Sequence, residues 1–146
     1  MEQSKKNLKV MSILMLCLAL VSLVLFTVDL IITDYNVAAI EGATKGVLIA
    51  SVIITGIIGL LISLPQIYIG IKGIKVSKNP DSSKAHIVWA TILFAIAVIG
   101  VFLYAYETFF GGDSVAVSSL ELSNVVVDVF LYYFYIKYAK EVKAGA

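Results

Sequence analysis

Four long apolar runs recur along the chain, at residues 10–32, 47–71, 87–106 and 119–138. Each is close to the roughly 20 residues that an α-helix needs to span a bilayer. In hydrocarbon every backbone amide must be satisfied within the protein, so runs of this kind fold as helices. Little of the 146-residue chain lies outside them. The expected fold is all-α: one membrane domain, 1–146, built as an antiparallel four-helix transmembrane bundle. Composition agrees. Hydrophobic residues make up 60% of the chain and charged residues only 14%, against about 25% charged in a soluble domain.

Charge sets the predicted orientation. All eleven cationic residues are lysines. Lys5, Lys6 and Lys9 precede the first run, and Lys72, Lys75, Lys78 and Lys84 lie between the second and third. Lys137, Lys140 and Lys143 follow the fourth, which leaves only Lys45 on the opposite side. Positive charge flanking a span stays in the cytoplasm, so both termini are expected there. Asp29, Asp34, Glu41, Glu107, Asp113 and Glu121 lie toward the outer side. Abundant Lys and Ile without Arg fits an AT-rich bacterial genome, and so a multi-pass protein of the cytoplasmic (inner) membrane. A net charge of +1, with its cations at membrane edges, gives nucleic acid no footing. The lysine-rich inner face is suited to anionic lipid headgroups.

The fourth run breaks its own pattern. It carries Glu121, Asn124 and Asp128, which at 100° per residue share one narrow arc continued by Tyr132 and Tyr135. An Asp at a helix centre costs about 2.5–3.5 kcal/mol on insertion scales, while each Leu, Val or Phe returns about 0.3–0.6. Nine residues separate Asp128 from Lys137, which places Asp128 about 14 Å deep at 1.5 Å per residue. Such a helix needs partners, and its acids face a bundle interior or a cavity. Asp29, in the first run, joins this stripe or sits as an interfacial acid; Ser22 shares its face. Four readings of Asp128 compete. It is neutral polar glue within the bundle, the partner of a cation on another subunit, part of a path for protons or small cations, or interfacial.

The second run presents small residues at every fourth position: Ser51, Thr55, Gly59 and Ser63. This spacing predicts a helix-packing groove, because small residues let backbones approach where lipid supplies no hydrophobic drive. Pro65 predicts a kink, with Gln66 positioned to serve a freed carbonyl or a neighbouring helix. Residues 72–86 read as an inner loop whose Asn79-Pro80-Asp81-Ser82 forms a turn, with Asp81, Ser82 or Ser83 capping the next helix. Residues 33–46 read as an outer loop anchored by Tyr35, and 111–114 as an outer turn. Trp89 and the aromatic cluster from Phe102 to Phe110 form interfacial anchors. A match at an offset of 65 residues sets Tyr68, Lys72, Lys75 and Lys78 against Tyr133, Lys137, Lys140 and Lys143. It rests mainly on lysine spacing at a membrane edge.

Chemical signals are sparse. Cys17 is the single cysteine, so no intramolecular disulfide or paired-thiol chemistry is available. His86 has no companion ligand, so no metal site and no cofactor are expected. No nucleophile elbow, zinc-protease motif or phosphate-binding glycine loop occurs. Asp29 and Asp128 differ in depth by several turns, which argues against an intramembrane aspartyl pair. The expectation is a non-enzymatic membrane protein acting by helix–helix association, as an oligomer with itself or as an accessory subunit of another membrane protein. Its groove and stripe would be the contact faces. The alternative is a small proton- or cation-coupled transporter or channel using the intramembrane carboxylates.

Overall fold

The computed structural model describes residues 1–32, 44–81, 83–110 and 119–145, and these form four helices with no strand among them. They are α1 (Glu2–Ile32), α2 (Lys45–Lys78), α3 (Ala85–Phe110) and α4 (Ser119–Ala144). The outer-loop readings at 33–43 and 111–114 lie outside the described residues. Among the described residues three helices are long and apolar enough to cross a membrane, namely α1, α2 and α3. The 26 residues of α4 reach about 39 Å at 1.5 Å per residue, long enough for the hydrocarbon core of a bilayer.

Each helix packs on its neighbours in sequence, and α1 closes the ring against α4; α2 and α4 touch only slightly across the middle. At one end Ser4 Oγ donates to Glu141 at 2.7 Å, joining the start of α1 to the end of α4. At the other end, the Phe26 ring lies against Gly56, joining the end of α1 to the start of α2.

The helices overrun the apolar segments. The side chain of Thr44 caps α2 by accepting from the Val47 amide at 3.4 Å. The helix runs through Pro65 and on to Lys78, so most of the expected inner loop is helical. The reason is legible in the packing: Ile69, Gly73, Val76 and Ser77 keep a three-to-four-residue spacing and are buried. The apolar face outlasts the membrane-length run, while Lys72, Lys75 and Lys78 occupy the other faces. Pro80, which cannot continue a helix, follows the Asn79 cap. In the short turn Asp81 accepts from the Ser83 amide at 3.0 Å and from Lys72 Nζ at 2.7 Å. Asp81 therefore closes the turn instead of capping α3, whose first amides bond to the Lys84 carbonyl.

Burial is lopsided. The fully or nearly buried side chains are Leu8 to Ala19 on α1, Ser63 to Ser77 on α2, His86 to Leu93 on α3 and Leu131 to Val142 on α4. All lie in the half of the bundle nearest the lysines. The opposite half exposes Val24, Leu25, Ile53, Ile57, Phe102 and Phe109.

Candidate functional site

Tyr135 is the side chain where all four helices meet. It is fully buried, and its hydroxyl donates to the Ile69 carbonyl on α2 at 3.0 Å. The His86 ring on α3 meets it edge-on, with centroids 6.1 Å apart. Its ring and hydroxyl also flank Gly73 of α2, where α1 approaches through Ser12. Ser12 Oγ is itself buried and bonded back to the Leu8 carbonyl at 2.7 Å. His86 is 1% exposed, and neither ring nitrogen has a hydrogen-bond partner among the described residues.

Two turns along α4, Asp128 opens a different environment. A crevice of about 240 Å³ is lined by Leu18, Val21, Ser22 and Leu25 of α1, Gln66 of α2, and Val127 and Asp128 of α4. It lies at the boundary between the packed and open halves of the bundle. On its lysine side, Met15, Ile69, Leu131, Tyr132 and Tyr135 form a buried layer. On its other side, Val21, Val24 and Leu25 are exposed. The carboxylate, the Gln66 carboxamide and the Ser22 hydroxyl supply polar groups from three helices to one small space. A carboxyl group there can exchange a proton, and the amide and hydroxyl can each donate or accept. Among the described residues no three His, Cys, Asp or Glu gather to hold a metal ion.

The structure sorts the expected residues. Asp128, Tyr132 and Tyr135 all turn toward the bundle interior, Tyr132 and Tyr135 in the buried core and Asp128 at the crevice wall. The side chains of Asp29, Thr55, Glu121 and Asn124 lie outside what is described. In the small-residue series, Ser63 is buried, while Ser51 is exposed and bonds back to the Val47 carbonyl at 2.8 Å. Gly59 has nothing within 4 Å of where a Cβ would sit. The close approaches of α1 to α2 fall instead on Gly56, Gly70 and Gly73. At Gly70 a Cβ would lie 2.6 Å from Leu16 Cγ and 3.0 Å from the Ser12 carbonyl oxygen. Sequence reasoning missed this second series because its glycines, at 56, 70 and 73, are unevenly spaced and the last lies past the apolar run. The signal was present in the glycines spaced by three at positions 70 and 73.

No protein-family model matches the chain, and no curated protein or solved structure matches it significantly.

Proposed function

We propose that the chain is an antiparallel four-helix membrane protein with both termini in the cytoplasm, and that it carries protons through Asp128. The antiparallel reading is supported by the pairing of Ser4 with Glu141 and of Phe26 with Gly56. The orientation is supported by the lysines, which gather at the end holding both termini. The observation that carries the functional reading is the crevice, which Asp128, Gln66 and Ser22 line from three helices. Asp128 is half-buried and lines a crevice shared by three helices of the same chain. Its polar neighbours are an amide and a hydroxyl, a set that serves a proton better than a hard metal ion, which needs several oxygen ligands. The buried Tyr132–Tyr135 layer stands between the crevice and the lysine end. His86, edge-on to Tyr135, stands on the far side of that barrier. Passage therefore requires the layer to part.

The test is proton flux into liposomes carrying the purified protein, driven by an imposed gradient and read with an internal pH dye. The wild type should move protons, and Asp128→Asn, eluting at the same position with an unchanged unfolding midpoint, should not. Equal flux in the two proteins, or none in the wild type, would overturn the reading.

A second reading rests on a separate observation. Gly59 has nothing within 4 Å of an added Cβ and Ser51 is exposed on the outer half of α2, which leaves these two positions free for association with another copy or another membrane protein. Gly59→Leu would then reduce the oligomer mass measured by light scattering in mild detergent, and an unchanged mass would sink it.

A further inference from the structure

A second cavity lies at the lysine end, independent of Asp128. It is a cleft of about 500 Å³ between the start of α3 and the end of α4, lined by Lys84, Ile87, Val88, Lys140, Lys143 and Ala144. Three of its lining residues are cationic and none is acidic. The acids nearby are engaged elsewhere: Glu141 accepts from Ser4, and Asp81 pairs with Lys72 at 2.7 Å. That pair is the one salt bridge among the described residues. Lys84 and Lys143 instead face each other. Partial loss of hydration, and then the Lys84 ammonium, lower the Lys143 pKa. Like charges held together across a cleft repel, and an anion between them removes the repulsion. The remaining walls are apolar, with Ile87 buried at the back and Val88 exposed beside Trp89.

We propose that this cleft binds the phosphate of an anionic phospholipid, with the headgroup held by Lys84, Lys140 and Lys143 and the start of an acyl chain lying on Ile87 and Val88. A free phosphate would use the same ammoniums but gain nothing from the apolar wall. A zwitterionic lipid would bring its own cation into the cluster. The site is formed by two helix ends and needs no second copy of the chain.

The experiment is a titration of the full chain in neutral detergent with short-chain phosphatidylglycerol, read by native mass spectrometry. Each lysine near an anionic surface contributes a factor of roughly five. The triple variant Lys84→Gln, Lys140→Gln, Lys143→Gln should therefore bind on the order of 100-fold more weakly. A control with Lys5→Gln, Lys6→Gln and Lys9→Gln removes the same charge and should change affinity by less than about two-fold. If the control loses as much as the triple variant, attraction is diffuse and the site is refuted. Inorganic phosphate and phosphatidylcholine form the other arms. Either one binding as tightly as phosphatidylglycerol overturns the assignment to an anionic lipid. Should the triple variant fail to fold, Lys143→Gln alone decides: a roughly five-fold loss supports the site and an unchanged affinity refutes it.

Discussion

Gly73→Ala sets helix propensity against packing. Propensity alone favours Ala over Gly by about 1 kcal/mol in a helix interior. At this position, however, an added Cβ would collide with Ser12 Oγ and would lie 2.7 and 2.8 Å from the Cε2 and hydroxyl of Tyr135. Neither neighbour yields freely. Ser12 is bonded to Leu8 at 2.7 Å, and Tyr135 is fully buried and bonded to Ile69 at 3.0 Å. Overpacking of this kind costs about 1–3 kcal/mol, and each hydrogen bond displaced adds about 1 kcal/mol. Set against the propensity gain, the net destabilisation is about 2–4 kcal/mol. Gly59→Ala reverses the sign, because nothing lies within 4 Å of its added Cβ and up to about 1 kcal/mol of propensity is kept. Both follow from unfolding midpoints in one mild detergent, measured by the loss of the folded peak in size-exclusion chromatography. Adding Ser12→Ala to Gly73→Ala should recover part of the loss, a coupling that a double-mutant cycle isolates. A Gly73→Ala protein as stable as wild type would mean that α1, α2 and α4 do not converge at Tyr135.

Two further predictions concern the lysine end of the bundle. Tyr135→Phe removes the hydroxyl bonded to Ile69 and should cost about 1 kcal/mol in the same unfolding measurement, with no change in oligomer mass; a neutral result would dissolve the α2–α4 bond. Asp81 is held below the ordinary carboxylate range by the hydrogen bond from Lys72 and, after it, by the Ser83 amide. A lowered folded-state pKa stabilises above the ordinary range, and that stabilisation is lost as pH falls through the folded value. The pair is partly open to solvent, so the effect is small. Wild type should unfold slightly later than Asp81→Asn at neutral pH, and the gap should close in acid. A gap independent of pH would show that the pairing contributes nothing.

The helices themselves were readable from the four apolar runs, because hydrocarbon-length segments have only one way to satisfy their backbone. Their ends were less legible. The Lys72–Lys78 segment looks like a loop by polarity, yet Ile69, Gly73 and Val76 carry the buried face onward, and helix continues wherever that face finds a partner. The inward turn of Asp128, Tyr132 and Tyr135 followed from cost alone, since polar groups in an apolar helix seek the interior. What they meet there did not. By sequence Gln66 reads as serving the consequences of Pro65 and Ser22 as sharing the face of Asp29, but the register between α1, α2 and α4 puts both at the crevice with Asp128. That register is fixed by close approaches at Gly70 and Gly73, and pairings between distant segments leave no trace in a single sequence. The Ser51–Ser63 series was the more regular pattern, but regularity within one helix does not say which face a second helix will choose.

The proposed proton path requires Asp128 to be an internal carboxyl group that takes up and releases a proton from within the lipid. An apolar carbodiimide partitions into lipid and reacts with a carboxyl group in its protonated form, so it reports this chemistry at the residue itself. Treated in liposomes and mapped by peptide mass spectrometry, the wild type should carry an adduct on Asp128, and proton flux should fall in proportion to the fraction modified. Full modification of Asp128 with flux undiminished, or flux lost with Asp128 unmodified, would contradict it.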